Sequence, residues 1–204
     1  MNLENYFMVY EKAIPKKFCE ELIKYGDSLN PKMALVGTAS KVPDNEKDLK
    51  QLIKTRNSYI SWLSEPWIWK TLKPFINLAN EQSGWNFDLS HAEPAQFTRY
   101  SKTQHYDWHM DQHNKPYNNP REATHGMTRK ISLTLSLNSG EDYEGGELEF
   151  RIPDQKGEKV INNNKSRLQG TLTIFPSFVF HRVSPVEKGT RYSLVVWNLG
   201  FPFK

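Results

Sequence analysis

The 204-residue sequence has a single cysteine, Cys19, so no disulfide can form within the chain. A lone cysteine is typical of proteins kept in a reducing compartment, and we expect a cytoplasmic location. Long apolar runs are also missing: no stretch approaches the roughly 20 residues that a membrane helix needs. The mean hydropathy is −0.71. The first residues lack the continuous apolar segment of a secretory signal, and we expect no signal peptide.

Runs of one charge are equally scarce. The net charge is +4, but no five consecutive residues are basic. We therefore expect no membrane partner and no nucleic-acid partner, although the basic surplus would permit contact with an acidic molecule. Internal repeats and low-complexity tracts are absent too. This length is most simply one domain with a sizeable core, and we predict a single domain over residues 1–204.

The first ninety residues are predicted to be mostly helical. Pro15 begins one helix that continues to Leu29 and carries Cys19 in the core. A second helix is predicted from Pro66 to Gln82. Its predicted buried face consists of Trp67, Ile68, Leu72, Phe75, Ile76 and Leu78. Between the two helices, residues 37–48 are predicted to form a loop, and residues 57–63 are more typical of a strand.

After Gly84 the hydrophobic period changes to two, which is the period of half-buried strands. Residues 131–137 alternate strictly, and the pattern returns at 148–152, 171–174 and 191–194. Helices followed by many short strands predict an α+β domain in which the helices pack on one face of a sheet. Residues 112–128 and 153–169 are predicted to be mobile loops.

A histidine-rich segment at residues 104–113 suggests a metal site. It contains two His-x-Asp pairs, His105/Asp107 and His109/Asp111, and all four residues share the parity of one strand face. Two histidines and one carboxylate form the facial triad of non-haem iron oxygenases, which leaves positions open for a cosubstrate and O2. His181 could supply the second histidine. These residues alone do not choose between the pairs, and in isolation His181 would be interpreted as a hydrogen-bonded core histidine.

Three motifs in order resemble the prolyl 4-hydroxylase type of Fe(II)/2-oxoglutarate-dependent dioxygenases, and most nearly the bacterial PKHD-type hydroxylases. The first is Arg99-Tyr100 followed, after eight residues, by His109-Met110-Asp111. The second is residues 142–148 (DYEGGEL), and the third is residues 180–191 (FHRVSPVEKGTR). The resemblance covers roughly residues 95 to 200, with a weaker match of the N-terminal helices.

This resemblance implies a double-stranded β-helix, or jelly roll, over residues 91–204, with residues 1–90 as helical support on the major sheet. It implies Fe(II), 2-oxoglutarate and O2 as cofactor and cosubstrates, with ascorbate as a candidate reductant. The implied iron ligands are His109, Asp111 and His181. Residues at the 2-oxoglutarate positions of the family are Arg191, which would hold the distal carboxylate, and Tyr100, Ser136 and Trp197. Tyr106 matches a tyrosine at the mouth of the substrate pocket.

Two further expectations concern the pocket. Ser132, Thr134 and Ser136 share one strand face, and we predict that they face the ligand while the intervening leucines pack under the helices; the opposite orientation is the alternative. The resemblance points to hydroxylation of a prolyl residue in a protein or peptide. A free amino acid or other small molecule is the alternative substrate. A jelly-roll module that binds metal or nucleic acid without turnover is the alternative of a different class.

Overall fold

The computed structural model describes residues 5–35 and 42–203, and within these ranges the chain forms three α-helices and fifteen strands. The helices are α1 (Lys16–Ser28), α2 (Glu46–Thr55) and α3 (Pro66–Gln82), and a short 3-10 helix spans Asn164–Arg167. The strands are β1 (Met8–Tyr10), β2 (Lys32–Met33), β3 (Arg56–Asn57), β4 (Tyr59–Leu63), β5 (His91–Ala92), β6 (Ala95–Tyr100), β7 (His105–His109), β8 (Thr128–Ser136), β9 (Tyr143–Gly145), β10 (Leu148–Asp154), β11 (Gly157–Asn162), β12 (Leu172–Pro176), β13 (Phe180–Val183), β14 (Val186–Gly189) and β15 (Arg191–Gly200).

The strands form two main antiparallel sheets. The major sheet has the order β1-β12-β8-β15-β6-β4-β2, with β5 added beside β15. The minor sheet has the order β11-β10-β13-β7-β3, and β14 pairs with β9 in a separate two-stranded sheet. Apart from the β10–β11 hairpin, neighbouring strands in the two main sheets are not consecutive in the chain, so the sheets bring together residues that are far apart in the sequence.

The helices cover the outer face of the major sheet. Leucines of β8 and β15, such as Leu133 and Leu194, are fully buried with Leu22 of α1 and Leu72 of α3 in one hydrophobic cluster. Helix amphipathicity and strand alternation produce this layer together, because each element has one apolar face to bury. The prediction that the β8 leucines pack under the helices is confirmed, and so is the α+β class.

A second hydrophobic cluster lies between the two sheets. Phe150 of β10 in the minor sheet packs edge-on against Phe175 of β12 in the major sheet, with ring centroids 5.1 Å apart. The inner faces of the sheets therefore face each other, and the space that this cluster leaves unfilled holds the polar site described below.

The N-terminal part differs from the prediction in several respects. It contributes four short strands as well as three helices, although the helices hold most of its regular structure. Helix α2 was missed, although the Asn45 side chain caps it by accepting a hydrogen bond from the Asp48 amide. The predicted helix over Pro66–Gln82 is confirmed, but Trp67 and Leu78 are exposed rather than buried, because Ala79 completes the buried face. Part of the predicted loop at 37–48 lies outside the described residues.

The two predicted loops have different outcomes. Residues 112–127 contain no helix or strand, as predicted. Residues 153–169 are not a loop: β10 continues to Asp154 and pairs with β11, and the 3-10 helix follows. In the part of the chain that the structure describes, no helix has the length and apolar character that crossing a bilayer demands.

Candidate metal centre and cosubstrate pocket

Two histidines face each other across neighbouring strands of the minor sheet. His109 at the end of β7 and His181 in β13 are directly paired in the antiparallel register, which places their Cα atoms about 5 Å apart. Asp111 follows two residues after His109 and is buried. Its carboxylate oxygens lie 3.7 Å from Nε2 of His109 and 3.6 Å from Nε2 of His181. All three ligand atoms fall within 4.8 Å of one another.

Both imidazoles are oriented by backbone carbonyls. Nδ1 of His109 lies 2.7 Å from the Asp107 carbonyl oxygen, and Nδ1 of His181 lies 3.0 Å from the Val179 carbonyl oxygen. With Nδ1–H as donor in each ring, both Nε2 lone pairs point towards the Asp111 carboxylate. Such hydrogen bonds fix the tautomer and ring orientation that a metal-binding histidine needs.

The donor set fits a divalent metal ion. Oδ2 of Asp111 is buried and has no hydrogen-bond partner among the described residues. Burial alone would raise the pKa of Asp111, but His181, His109 and Arg129 outweigh it and lower the value to about 2. Burial, followed by repulsion from His181, lowers the pKa of His109 to about 3. Two imidazoles beside one carboxylate are suited to hold a cation such as Fe(II).

The alternative pair does not contribute to this group. The ring nitrogens of His105 lie 3.1 Å and 3.0 Å from the carbonyl oxygens of Thr103 and Lys54, and the side chain of Asp107 is exposed. The shared parity predicted for these residues is wrong, because β7 carries an extra residue between its pairings with β13. This bulge turns both Tyr106 and His109 towards the pocket, where their rings stack 3.5 Å apart.

Arg191 lies at one end of the same cavity between the sheets, which has a volume of about 30 Å³. Its side chain is buried, Nη1 donates to Ser193 Oγ at 3.1 Å, and Nη2 has no partner among the described residues. Tyr100 lies beside it, with the guanidinium carbon 5.5 Å from the ring centroid. A buried guanidinium without an acidic partner is suited to bind a carboxylate through a bidentate pair of hydrogen bonds.

The Gly145-Gly146 pair of the second motif gives this arginine its space. Gly146 adopts a φ of +66°, and a Cβ atom there would lie 3.1 Å from Cδ of Arg191. Gly145 has a φ of +71°, and its Cβ would overlap the Pro185 carbonyl oxygen at 2.2 Å. The second and third sequence motifs are thus packed against each other beside Arg191.

The remaining predicted pocket residues divide into two groups. Tyr100, Tyr106 and Trp197 line the cavity, and the guanidinium of Arg129 lies 3.8 Å from the Trp197 ring. Ser136 does not line it, because its hydroxyl donates to the Ser166 carbonyl. Thr134, two residues earlier on the same strand face, lines the cavity instead.

Two arginines near the site were missed from the sequence. Arg56 lines the cavity from β3, where its guanidinium carbon lies 4.5 Å from the Tyr106 ring centroid. Arg129 lies behind the metal group and forms a two-pronged ion pair with Glu93, at 2.8 Å and 2.5 Å. Arg56 is the first residue of β3 and Arg129 the second residue of β8, and a threonine precedes each of them. Surface arginines occur in the same sequence context, so no sequence signal distinguished these two.

A His-Asp-His cluster between two antiparallel sheets, with an unpaired arginine in the same cavity, defines a mononuclear metal enzyme that takes an acidic cosubstrate. The sequence model of the 2OG-Fe(II) oxygenase superfamily matches residues 95–198. This match contains the metal cluster and Arg191. The chain belongs to the 2OG-Fe(II) oxygenase superfamily, whose members use Fe(II), 2-oxoglutarate and O2.

Bacterial relatives extend the comparison. A PKHD-type hydroxylase of Idiomarina loihiensis is 37% identical over 99 residues, which cover 48% of this chain and 38% of the relative. One of Xylella fastidiosa strain M12 is 37% identical over 107 residues, covering 51% of this chain and 43% of the relative. The matched stretch thus spans about two fifths of these relatives.

Solved structures share the fold over nearly the whole chain. A prolyl-4-hydroxylase of Pseudomonas putida has a TM-score of 0.66 and 21% identity, covering 96% of this chain and 94% of its own. A Trichoplax adhaerens prolyl hydroxylase, in complex with a hypoxia inducible factor peptide fragment, has a TM-score of 0.68 and 18% identity, covering 96% and 84%. The helical N-terminal part therefore belongs to the shared architecture as well.

Proposed function

We propose that this protein is an Fe(II)- and 2-oxoglutarate-dependent hydroxylase whose catalytic unit is a double-stranded β-helix formed within one domain, residues 1–204. The observation that carries the proposal is the convergence of His109, Asp111 and His181 within 4.8 Å of one another, in the cavity that Arg191 also lines. Oδ2 of Asp111 and Nη2 of Arg191 are both buried without a hydrogen-bond partner among the described residues, and a bound metal ion and a bound carboxylate would satisfy them.

Each residue has a defined task in this proposal. His109, Asp111 and His181, which lie together at the cavity, would hold the Fe(II) ion. Arg191 binds the distal carboxylate of 2-oxoglutarate, and Tyr100 and Thr134 line its path. Bound Fe(II), 2-oxoglutarate and O2 supply the oxidising chemistry, which releases succinate and CO2 and delivers a hydroxyl group to the substrate. The buried walls, Trp197 and Tyr106 among them, keep water away from the reacting atoms.

We propose a prolyl residue in a protein or peptide as the substrate. Support comes from the PKHD-type and prolyl hydroxylase relatives and from the neighbour whose structure holds a peptide. A free amino acid is the second candidate, favoured by the small volume of the cavity. The single free cysteine supports a cytoplasmic location, and ascorbate is the proposed reductant.

Succinate formation tests this function. Purified protein incubated with Fe(II), 2-oxoglutarate and a bacterial lysate should release succinate, and omission of either Fe(II) or 2-oxoglutarate should abolish the release. Mass spectrometry of the same lysate should show peptides heavier by one oxygen at proline. Oxygen added only to another residue type would remove the prolyl assignment, and no succinate under any condition would remove the hydroxylase itself.

A further inference from the structure

Arg56 is a second buried arginine in the cavity that has no acidic partner among the described residues. Its side chain is 6% exposed. Nε donates to Ser58 Oγ at 3.0 Å and Nη2 donates to Gln96 Oε1 at 2.6 Å, so both partners are neutral. An arginine keeps its charge when buried, and neutral hydrogen bonds do not balance that charge.

Other arginines of this protein show what the usual arrangement is. Arg129 pairs with Glu93, Arg99 with Asp27, Arg167 with Glu147 and Arg182 with Glu149. These four are more exposed than Arg56, and each still has a carboxylate within 3.3 Å. Of the arginines that line the cavity, both Arg56 and Arg191 lack one. The proposed function assigns an external carboxylate to Arg191 and leaves Arg56 unbalanced.

The two arginines lie at different ends of the cavity. Tyr100 of β6 pairs with Arg191 of β15, whereas Gln96, the partner of Arg56, pairs with Val195. Val195 lies four positions after Arg191 on β15, which corresponds to about 13 Å along a strand. Gln96 also lines a second groove, together with its strand partner Trp62 of β4, which is exposed. The Arg56 end of the cavity is therefore the end that lies next to this surface groove.

We propose that Arg56, together with Gln96, binds a carboxylate of the substrate. The inference rests on the proposed function, because it assumes that 2-oxoglutarate occupies Arg191 and that the substrate enters from the other end. A guanidinium with its planar fork is the group best suited to a carboxylate in a dry cavity. The carboxylate could belong to a free amino acid, or to an acidic side chain or C-terminus of a peptide next to the hydroxylated residue.

Two matched pairs of probes separate these sources. The first pair is L-proline and L-prolinamide; the second is the peptide acetyl-Asp-Pro-Asp-amide and its neutral partner acetyl-Asn-Pro-Asn-amide. Calorimetry of the whole protein with Fe(II) and 2-oxoglutarate, under anaerobic conditions that prevent turnover, should show the acidic member of one pair binding at least tenfold more tightly than its neutral partner. The probe pair that shows this affinity ratio identifies the source of the carboxylate, a free amino acid or a peptide.

Variants of Arg56 then test the residue. Arg56→Met should abolish this ratio and leave the neutral probe unchanged, and Arg56→Lys should retain part of the ratio. Arg182→Gln is the matched control, since Arg182 also lies over an aromatic ring, that of Trp108, but outside the cavity and paired with Glu149. That variant should leave the ratio intact.

Four results would overturn the proposal. The acidic and neutral probes could bind equally to the wild type, or neither acidic probe could bind. Arg56→Met could weaken both members of a pair equally, which would mean that Arg56 only supports the Tyr106 ring. The Arg56→Met variant could also change only the affinity for 2-oxoglutarate and leave the binding of all four probes unchanged. Because binding is measured without turnover, a failure of the hydroxylase function would show as missing succinate while the affinity ratio persists.

Discussion

The two faces of the major sheet are made by the same strands but have opposite character. On β8, Leu133 and Leu135 face the helices, and Thr134 between them faces the cavity. On β15, Leu194 and Val196 face the helices, and Arg191 and Ser193 face the cavity. Because successive residues of a strand point to opposite faces, residues that stabilise the fold alternate with residues that form the site. Substitutions on the outer face should affect folding, and those on the inner face should affect binding and turnover.

The largest effect is expected for the metal group. His181→Ala should reduce succinate formation at least a thousandfold, about 4 kcal/mol at the barrier, because it removes one of three ligand side chains. Iron content after dialysis should fall with it, while the urea midpoint of the metal-free protein should change little. His105→Ala, the control with no ligand role, should retain both activity and iron. The opposite outcome for these two histidines would show that the wrong pair had been assigned.

A smaller effect is expected at Arg191, which lies on the inner face of the major sheet. Arg191→Gln should raise KM for 2-oxoglutarate roughly a hundredfold, since losing one partner of a buried charge pair costs about 3 kcal/mol. Steady-state kinetics at saturating Fe(II) measures it. Arg167→Gln, a change in an arginine that already pairs with Glu147, provides the control. An unchanged KM would remove the anchoring role of Arg191.

The outer face should respond in the opposite way. Leu133→Ala should lower the free energy of unfolding by about 3 kcal/mol, because Leu133 is fully buried against the helices and the substitution leaves a cavity. Urea denaturation measures the change. At a temperature where the variant is folded, its KM for 2-oxoglutarate should equal that of the wild type. A large rise in KM would show that the two faces are not independent.

The smallest effect concerns Cys19 in the same helix-covered layer. Burial, with a further contribution from Glu20, raises the pKa of its thiol to about 11. The thiolate is therefore scarce below pH 9, and the group is also inaccessible in the folded state. A chromogenic disulfide reagent at pH 8 should react in urea but hardly at all in buffer. Rapid labelling of the native protein would show that the helical layer opens readily over the sheet.

Much of the fold and of the candidate site could be predicted from local sequence patterns. Pro66 at the first turn and the apolar period defined α3 to the residue. The alternation in β8 gave the correct face for its leucines, and the resemblance carried by the three motifs identified His109, Asp111, His181 and Arg191, which share one cavity.

What could not be predicted depends on tertiary contacts. The bulge in β7 arises from pairing with β13, and only that pairing shows why Tyr106 joins His109 while His105 does not. Ser136 has the right parity but is turned to the Ser166 carbonyl, which is supplied by a 3-10 helix that was predicted as loop. Arg56 looks like any surface arginine until the fold places it in the cavity. Exposure of Trp67 likewise depends on which helix positions the sheet covers.

The cross-strand pairing of His109 with His181 also has a consequence for assembly of the protein. The two residues come from distant parts of the chain and meet only when β7 and β13 have joined correctly. An unfolded or mispaired chain cannot present three ligands at once, so tight metal uptake is a late event that reports completed folding. Iron bound at this position would then stabilise only those molecules in which β7 and β13 of the minor sheet have paired correctly.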